Sequence, residues 1–142
     1  MLHPKRDCYP KGKPMAPRVL LADDHKMNRF ATQALLESMG YQVIAVGDGD
    51  EAVEAYTSDD FDLILMDCQM PRMDGFEATA QIRRQQAQTA RPRTPIIGLS
   101  GRSLSSDRDA AIALGMDDYV TKPPSVKRLT SLLQELASPG GI

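Results

Sequence analysis

Two short apolar runs lead straight into carboxylates, and that pattern narrows the folds open to this chain more than any other feature. Leu63, Ile64, Leu65 and Met66 run into Asp67, while Val19, Leu20, Leu21 and Ala22 run into the adjacent pair Asp23 and Asp24. A continuous apolar run of this length, bounded by turn residues, reads as a strand buried on both faces, the habit of parallel sheets. Open α/β sheets place their sites at the carboxyl ends of such strands, where these acids fall. Three carboxylates brought together repel one another unless a cation or proton joins them, so the pattern predicts a divalent metal site.

From Arg18 onward, strand-like and helix-like segments alternate. Phe30, Ala31, Ala34, Leu35 and Met39 recur at helical spacing and predict a first helix, with Gly40 as its stop. Tyr41 to Val46 predicts a second strand, and Asp48, Gly49 and Asp50 introduce a helix over Glu51 to Tyr56. The third strand ends at Asp67, and Gly75, Phe76, Ala78, Thr79 and Ile82 predict a third helix. Pro95 to Ser100 reads as a fourth strand, Ser106 to Leu114 as a helix closed by Gly115, and Tyr119 to Thr121 as a brief fifth strand. Ser125 then caps a last helix whose Val126, Leu129, Leu132, Leu133 and Leu136 form an amphipathic stripe. Such alternation predicts an α/β fold with a doubly wound, five-stranded parallel sheet and helices on both faces. In the strand order 2-1-3-4-5 the first and third strands are neighbours, and Asp23, Asp24 and Asp67 converge.

Length and charge bound the rest. At 142 residues and 42% hydrophobic, the chain reads as one soluble domain with a single core. The net charge of -2 hides an asymmetry, because Lys5, Arg6, Lys11 and Lys13 stand against Asp7 alone within residues 1–17. The remainder is therefore acidic, which argues against nucleic acid as its partner. Residues 1–17 also hold Pro4, Pro10, Pro14 and Pro17 and lack the apolar core of a signal peptide; they read as a tail or linker. No apolar run approaches the roughly 20 residues that span a bilayer. With only Cys8 and Cys68, a disulfide framework has no support, and a reducing, cytoplasmic setting is expected.

Ser100 ends the fourth strand and Lys122 follows the fifth, so both are expected at the carboxyl edge that carries the acids. A hydroxyl and an ammonium facing an acid-held metal suit a phosphoryl group, whose oxygens each need a donor or a cation. An Asp carboxylate is itself a competent phosphoryl acceptor.

These residues, with Met70-Pro71 through Met73-Asp74-Gly75, Pro95-Ile96-Ile97 ending in Ser100, and Tyr119-Val120-Thr121-Lys122-Pro123, give a chain that resembles the receiver domain of two-component response regulators. The resemblance covers residues 18–137, leaving 138–142 as a C-terminal tail. It implies a flavodoxin-like strand order and a signalling module. Asp67 would accept phosphate from a histidine kinase or histidine phosphotransfer protein. Mg²⁺ would be bound by Asp24 and Asp67 directly, by Asp23 mainly through water, and by the Gln69 backbone carbonyl. Lys122 would contact the phosphoryl group, while Ser100 and Tyr119 would act as the switch. That switch would couple to a downstream protein through the face of the fourth helix, fifth strand and fifth helix. The Lys122-Pro123 bond is cis in the family. Asp67-Cys68-Gln69-Met70-Pro71 and Asn28-Arg29 look most like receivers associated with hybrid histidine kinases.

Individual residues have plainer readings. His25 is expected as an exposed position at the start of the first helix, and Cys68 as a buried residue pointing away from Asp67 by strand alternation. Asp117, Asp118, Lys127 and Arg128 are compatible with a polar interface, with solvated charges the commoner reading. Gly98 and Gly101 are expected to loosen the loop after Ser100; the resemblance sets Gln69 and Arg102 at positions that flank the phosphoryl group in the family, and Pro124 is expected to stiffen the entry to the last helix. An aspartate-nucleophile phosphatase would need a second Asp where Gln69 stands. A phosphate-independent module would have no use for three clustered acids.

Overall fold

The computed structural model describes residues 17–91, 93–101, 105–121 and 127–131. Lys122, Pro123, Pro124, Arg102, Ser125, Val126 and most of the last predicted helix lie outside these residues, as do residues 1–16. Strands and helices alternate as β1 (Arg18–Ala22), α1 (Lys26–Ser38), β2 (Gln42–Val46), α2 (Gly49–Ser58), β3 (Leu63–Asp67), α3 (Gly75–Thr89), β4 (Ile96–Ser100), α4 (Ser105–Ala113) and β5 (Asp118–Thr121), with residues 127–131 helical.

The five strands form one parallel sheet in the order β2-β1-β3-β4-β5. The chain turns back across β1 to build one side and then moves outward from β3, so the switch point falls between β1 and β3. In register, Leu21 lies beside Leu65 and Ala22 beside Met66. The acids at the end of each strand are therefore carried to one place. Every residue of β1, β3 and β4 is buried, as continuous apolar runs require, while the edge strand β2 is half exposed.

Side-chain alternation divides the core into two layers. Leu20, Ala22, Ile64, Met66 and Ile96 meet Tyr56 of α2, Ala78 and Ile82 of α3, and Ala111 of α4. On the other face Val19, Leu21, Leu63, Leu65, Ile97, Leu99 and Val120 meet Leu36 of α1 and Leu129. Cys68 is buried in the first layer, on the face opposite that of Asp67 by alternation, as expected.

Local chemistry fixes the helix ends. Asp48 caps α2 by accepting from the Glu51 N–H at 2.9 Å, and Glu51 reaches back to accept from the Gly47 N–H at 2.7 Å. Asp74 caps α3 in the same way through the Glu77 N–H at 2.9 Å. Gly40 stops α1 with φ 95°, a left-handed conformation suited to glycine.

Helix α1 departs from the expected inward face. Leu35 and Met39 do pack on the core, joined by buried Leu36 and Thr32, but Ala31 and Ala34 are exposed and Phe30 is 72% exposed. The spacing marked a helix correctly, yet its apolar residues span two faces, and only one can meet the sheet.

Candidate functional site

Asp23, Asp24 and Asp67 converge at the carboxyl edge, each offering a carboxylate oxygen within 4.8 Å of the others. Asp23 and Asp67 are almost wholly buried, at 0% and 1% exposure, and Asp24 is open to solvent. Two sunken acids and one exposed acid, all oxygen donors, suit a hard divalent cation that keeps part of its hydration.

Backbone groups orient these acids. Asp23 Oδ1 accepts from the His25 N–H at 2.9 Å, and the Asp23 N–H donates to the Val46 carbonyl at 3.1 Å. Arg29 of α1 donates from Nη1 to the Asp23 carbonyl at 2.9 Å, which ties helix to strand end. His25 is exposed and sits at the N-cap of α1, as predicted. Asp67 Oδ1 accepts from the Gln69 N–H at 3.1 Å, folding the chain over immediately after the strand. The Gly75 Cα then lies against the Asp67 carbonyl so closely that a Cβ would overlap it. Only glycine lets the chain turn back there.

Ser100 is buried at 5% exposure at the end of β4, and Tyr119 is buried at 8% in β5. Gly98 and Tyr119 are register partners, as are Ser100 and Thr121. A Cβ on Gly98 would stand 2.7 Å from Met116 Sδ, 3.1 Å from the Tyr119 ring and 3.2 Å from Cys68 Sγ. Gly98 therefore serves close packing inside the strand, where looseness of the following loop had been expected. Among the described residues, Asp117 and Asp118 are also more than solvated charges. Asp117 accepts from Arg83 at 2.7 Å and Arg93 at 2.9 Å; Asp118 accepts from Arg108 at 3.2 Å and Arg128 at 3.4 Å.

A cleft of about 760 Å³ opens at the other end of the sheet, bounded by Asp59, Phe61, Arg91 and Pro95. It holds no convergent chemistry: Arg18 pairs with Asp59 at 2.6 Å and Arg91 with Asp60 at 3.1 Å. The three acids that meet at the carboxyl edge lie outside this cleft.

The sequence profile described as the response regulator receiver domain matches residues 19–134. The chain belongs to this family. Relatives of the receiver include the sensor protein GacS of Pseudomonas syringae pv. syringae, 41% identical over 129 residues. That match covers 91% of this chain and 14% of GacS, so the chain spans about a seventh of that relative's length. The receiver domain of a Pseudomonas aeruginosa sensor histidine kinase, solved with magnesium coordinated in its active-site cleft, is 38% identical with a TM-score of 0.77. That match covers 86% of this chain and 98% of the solved one. A yeast receiver, that of Ssk1 from Saccharomyces cerevisiae crystallised with the histidine phosphotransfer protein Ypd1, aligns at 25% identity and a TM-score of 0.83, covering 91% and 95% of the two chains. A hybrid signal transduction histidine kinase of Dictyostelium discoideum, 35% identical over 120 residues that cover 84% of this chain and 11% of the relative, also figures among the relatives, in line with the resemblance drawn from Asp67-Cys68-Gln69-Met70-Pro71. No described helix of the receiver is long and apolar enough to cross a membrane.

Proposed function

We propose that this receiver takes a phosphoryl group onto the Asp67 carboxylate from a histidine-phosphorylated protein, in a reaction dependent on Mg²⁺, and passes the change on through altered partner binding. The observation that carries this reading is the convergence of the Asp23, Asp24 and Asp67 oxygens within 4.8 Å. Asp24 and Asp67 would hold the ion directly, Asp23 through water, and the Gln69 carbonyl would add a further oxygen. Bound there, the ion supplies charge neutralisation between the acids and the incoming phosphoryl oxygens.

Asp67 then attacks phosphorus in line. The new bond forms from a carboxylate oxygen, the bond from phosphorus to the donor's imidazole nitrogen breaks, and that nitrogen leaves with the electron pair. Later attack by water releases inorganic phosphate and restores the carboxylate. Lys122 offers the ammonium for a phosphoryl oxygen, and Ser100 the hydroxyl. By alternation Ser100 shares the sheet face of Gly98 and Tyr119, so a shift of Ser100 toward phosphate would open space for the tyrosine ring.

The donor's docking surface in this reading is α1. Its Met27 and Phe30 are 74% and 72% exposed, and the helix begins three residues after Asp23. An apolar face this close to the acceptor favours contact with another protein. The downstream face would be α4, β5 and the segment 127–131, where Ile112 and Leu114 are 44% and 45% exposed. The protein would act in the cytoplasm.

Intact-protein mass spectrometry after incubation with Mg²⁺ and acetyl phosphate tests the chemistry. A single added phosphoryl mass that requires Mg²⁺ and disappears in Asp67→Asn is the expected result. No adduct and no donor turnover would overturn the reading in favour of a phosphate-independent module, and turnover without an adduct would point to a phosphatase.

A further inference from the structure

The loop joining β3 to α3 carries Gln69, and it is fastened to a different element of the fold. Arg72 sits in this loop with a left-handed backbone, φ 66°, uncommon for a residue other than glycine or asparagine. From there its Nη2 donates to Asp48 Oδ2, and its Nε stands 3.7 Å from Asp50 Oδ2. Asp48 is buried at the N-cap of α2 and uses its other oxygen, Oδ1, to accept from the Glu51 N–H. Beside this pair the Gly49 Cα abuts the Met73 carbonyl, leaving no room for a Cβ. The loop therefore rests on the start of α2 at two adjoining points, one ionic and one steric.

Bonds inside the loop do not provide this anchorage. The Gln69 N–H reaches Asp67 Oδ1, the Met73 N–H donates to the Pro71 carbonyl at 2.7 Å, and the Gly75 N–H to the Cys68 carbonyl at 3.2 Å. These shape the loop upon itself and upon its own strand.

We infer that Arg72 is a positioning residue for the metal-dependent chemistry: by gripping Asp48 it holds the β3–α3 loop, and with it the Gln69 carbonyl that the proposed function assigns to the ion. The inference rests on the proposed Mg²⁺-dependent function. Arg72 touches none of the acids, and it acts only through the loop. Because its side chain is 67% exposed, solvent screens the pair, and a modest effect follows.

Two variants separate grip from fold. Arg72→Asn keeps a residue tolerant of the left-handed backbone but too short to reach Asp48. Asp48→Asn keeps a capping oxygen for α2 while removing the charge. Mg²⁺ affinity is measured by titration calorimetry and the thermal midpoint is measured without Mg²⁺. Each variant is expected to weaken Mg²⁺ binding by about two- to fivefold, the range of a screened ion pair. The double variant should be no weaker than the poorer single, because both changes break one contact. The Mg²⁺-free midpoint of Arg72→Asn should stay within about 3 °C of the parent, as for a surface substitution. Unchanged Mg²⁺ affinity with a lowered midpoint would overturn the proposal and leave Arg72 a structural brace; so would additive losses in the double variant. If the parent itself takes up neither Mg²⁺ nor phosphoryl group, the functional reading falls and this one with it. If the parent is phosphorylated and Arg72→Asn binds Mg²⁺ equally well, this one falls alone.

Discussion

At the scale of single residues, the glycines show how much rides on one absent methyl group. A Cβ at Gly75 would overlap the Asp67 carbonyl and press on Met66 Cγ, whereas one at Gly101 would meet nothing within 4 Å. Gly75→Ala is therefore expected to cost about 1–3 kcal/mol, the range for overpacking, and to weaken Mg²⁺ binding by displacing Asp67. Gly101→Ala is expected to be near neutral, within about 0.5 kcal/mol. Urea denaturation of the two variants side by side checks the contrast; equal losses would mean that the Gly75 contact is relieved at little cost. The sequence sets Gly75 in a motif and Gly101 in a loop, but it does not show the neighbour, brought by the turn, that gives them different costs. For the same reason Gly98 reads as looseness in the sequence and is tight packing in the fold.

Among the elements, the anchoring of α3 shows where sequence patterns stop being informative. Arg83 donates to the Gly115 carbonyl at 2.9 Å, Gln86 Oε1 at 3.0 Å, the Thr94 carbonyl at 2.7 Å and Asp117 Oδ2 at 2.7 Å, joining α3 to the approaches of β4 and β5. Burial pushes its guanidinium below the ordinary value, with Arg93 adding to the effect and Asp117 opposing it. Arginine's ordinary value is so high that the group stays cationic. Arg83→Met should destabilise the receiver by about 2–4 kcal/mol, since buried acceptors lose a charged donor. The loss should be equal at pH 6 and pH 8, as read by thermal or denaturant melts; a strong pH dependence would show that another group carries the stability. Nothing in the sequence links Arg83 to Asp117, 34 residues away. Helix α1 teaches a related lesson. Its apolar spacing is legible, but the choice of Leu35, Leu36 and Met39 over Phe30, Ala31 and Ala34 as the inward face depends on how the helix lies on β1 and β2.

For the whole molecule, the alternation of segments made a doubly wound parallel sheet readable, while the strand order that brings Asp23, Asp24 and Asp67 together came with the resemblance to the family. The acids were legible because each ends an apolar run; the fastening of one loop to another, as at Arg72 and Asp48, was not, since it joins positions with no shared pattern. The cluster also stores repulsion that a cation relieves. Mg²⁺ at ten times its dissociation constant is expected to stabilise the fold by about 1.4 kcal/mol, raising the thermal midpoint by about 5 °C. Asp24→Asn should reduce that rise, and calorimetric scans with and without Mg²⁺ measure both. A midpoint indifferent to Mg²⁺ would remove the metal from the site.

The exposed apolar side of α1 has one more consequence. Asp23 and Asp67 belong to strand ends, sunk in a core that tolerates little change, while Met27 and Phe30 belong to the outer surface of a helix. If α1 is the docking surface proposed above, substitutions there would redraw which proteins the receiver recognises without disturbing how it reacts. Lineages that duplicate such a chain can thus diverge in acquaintance long before they diverge in chemistry.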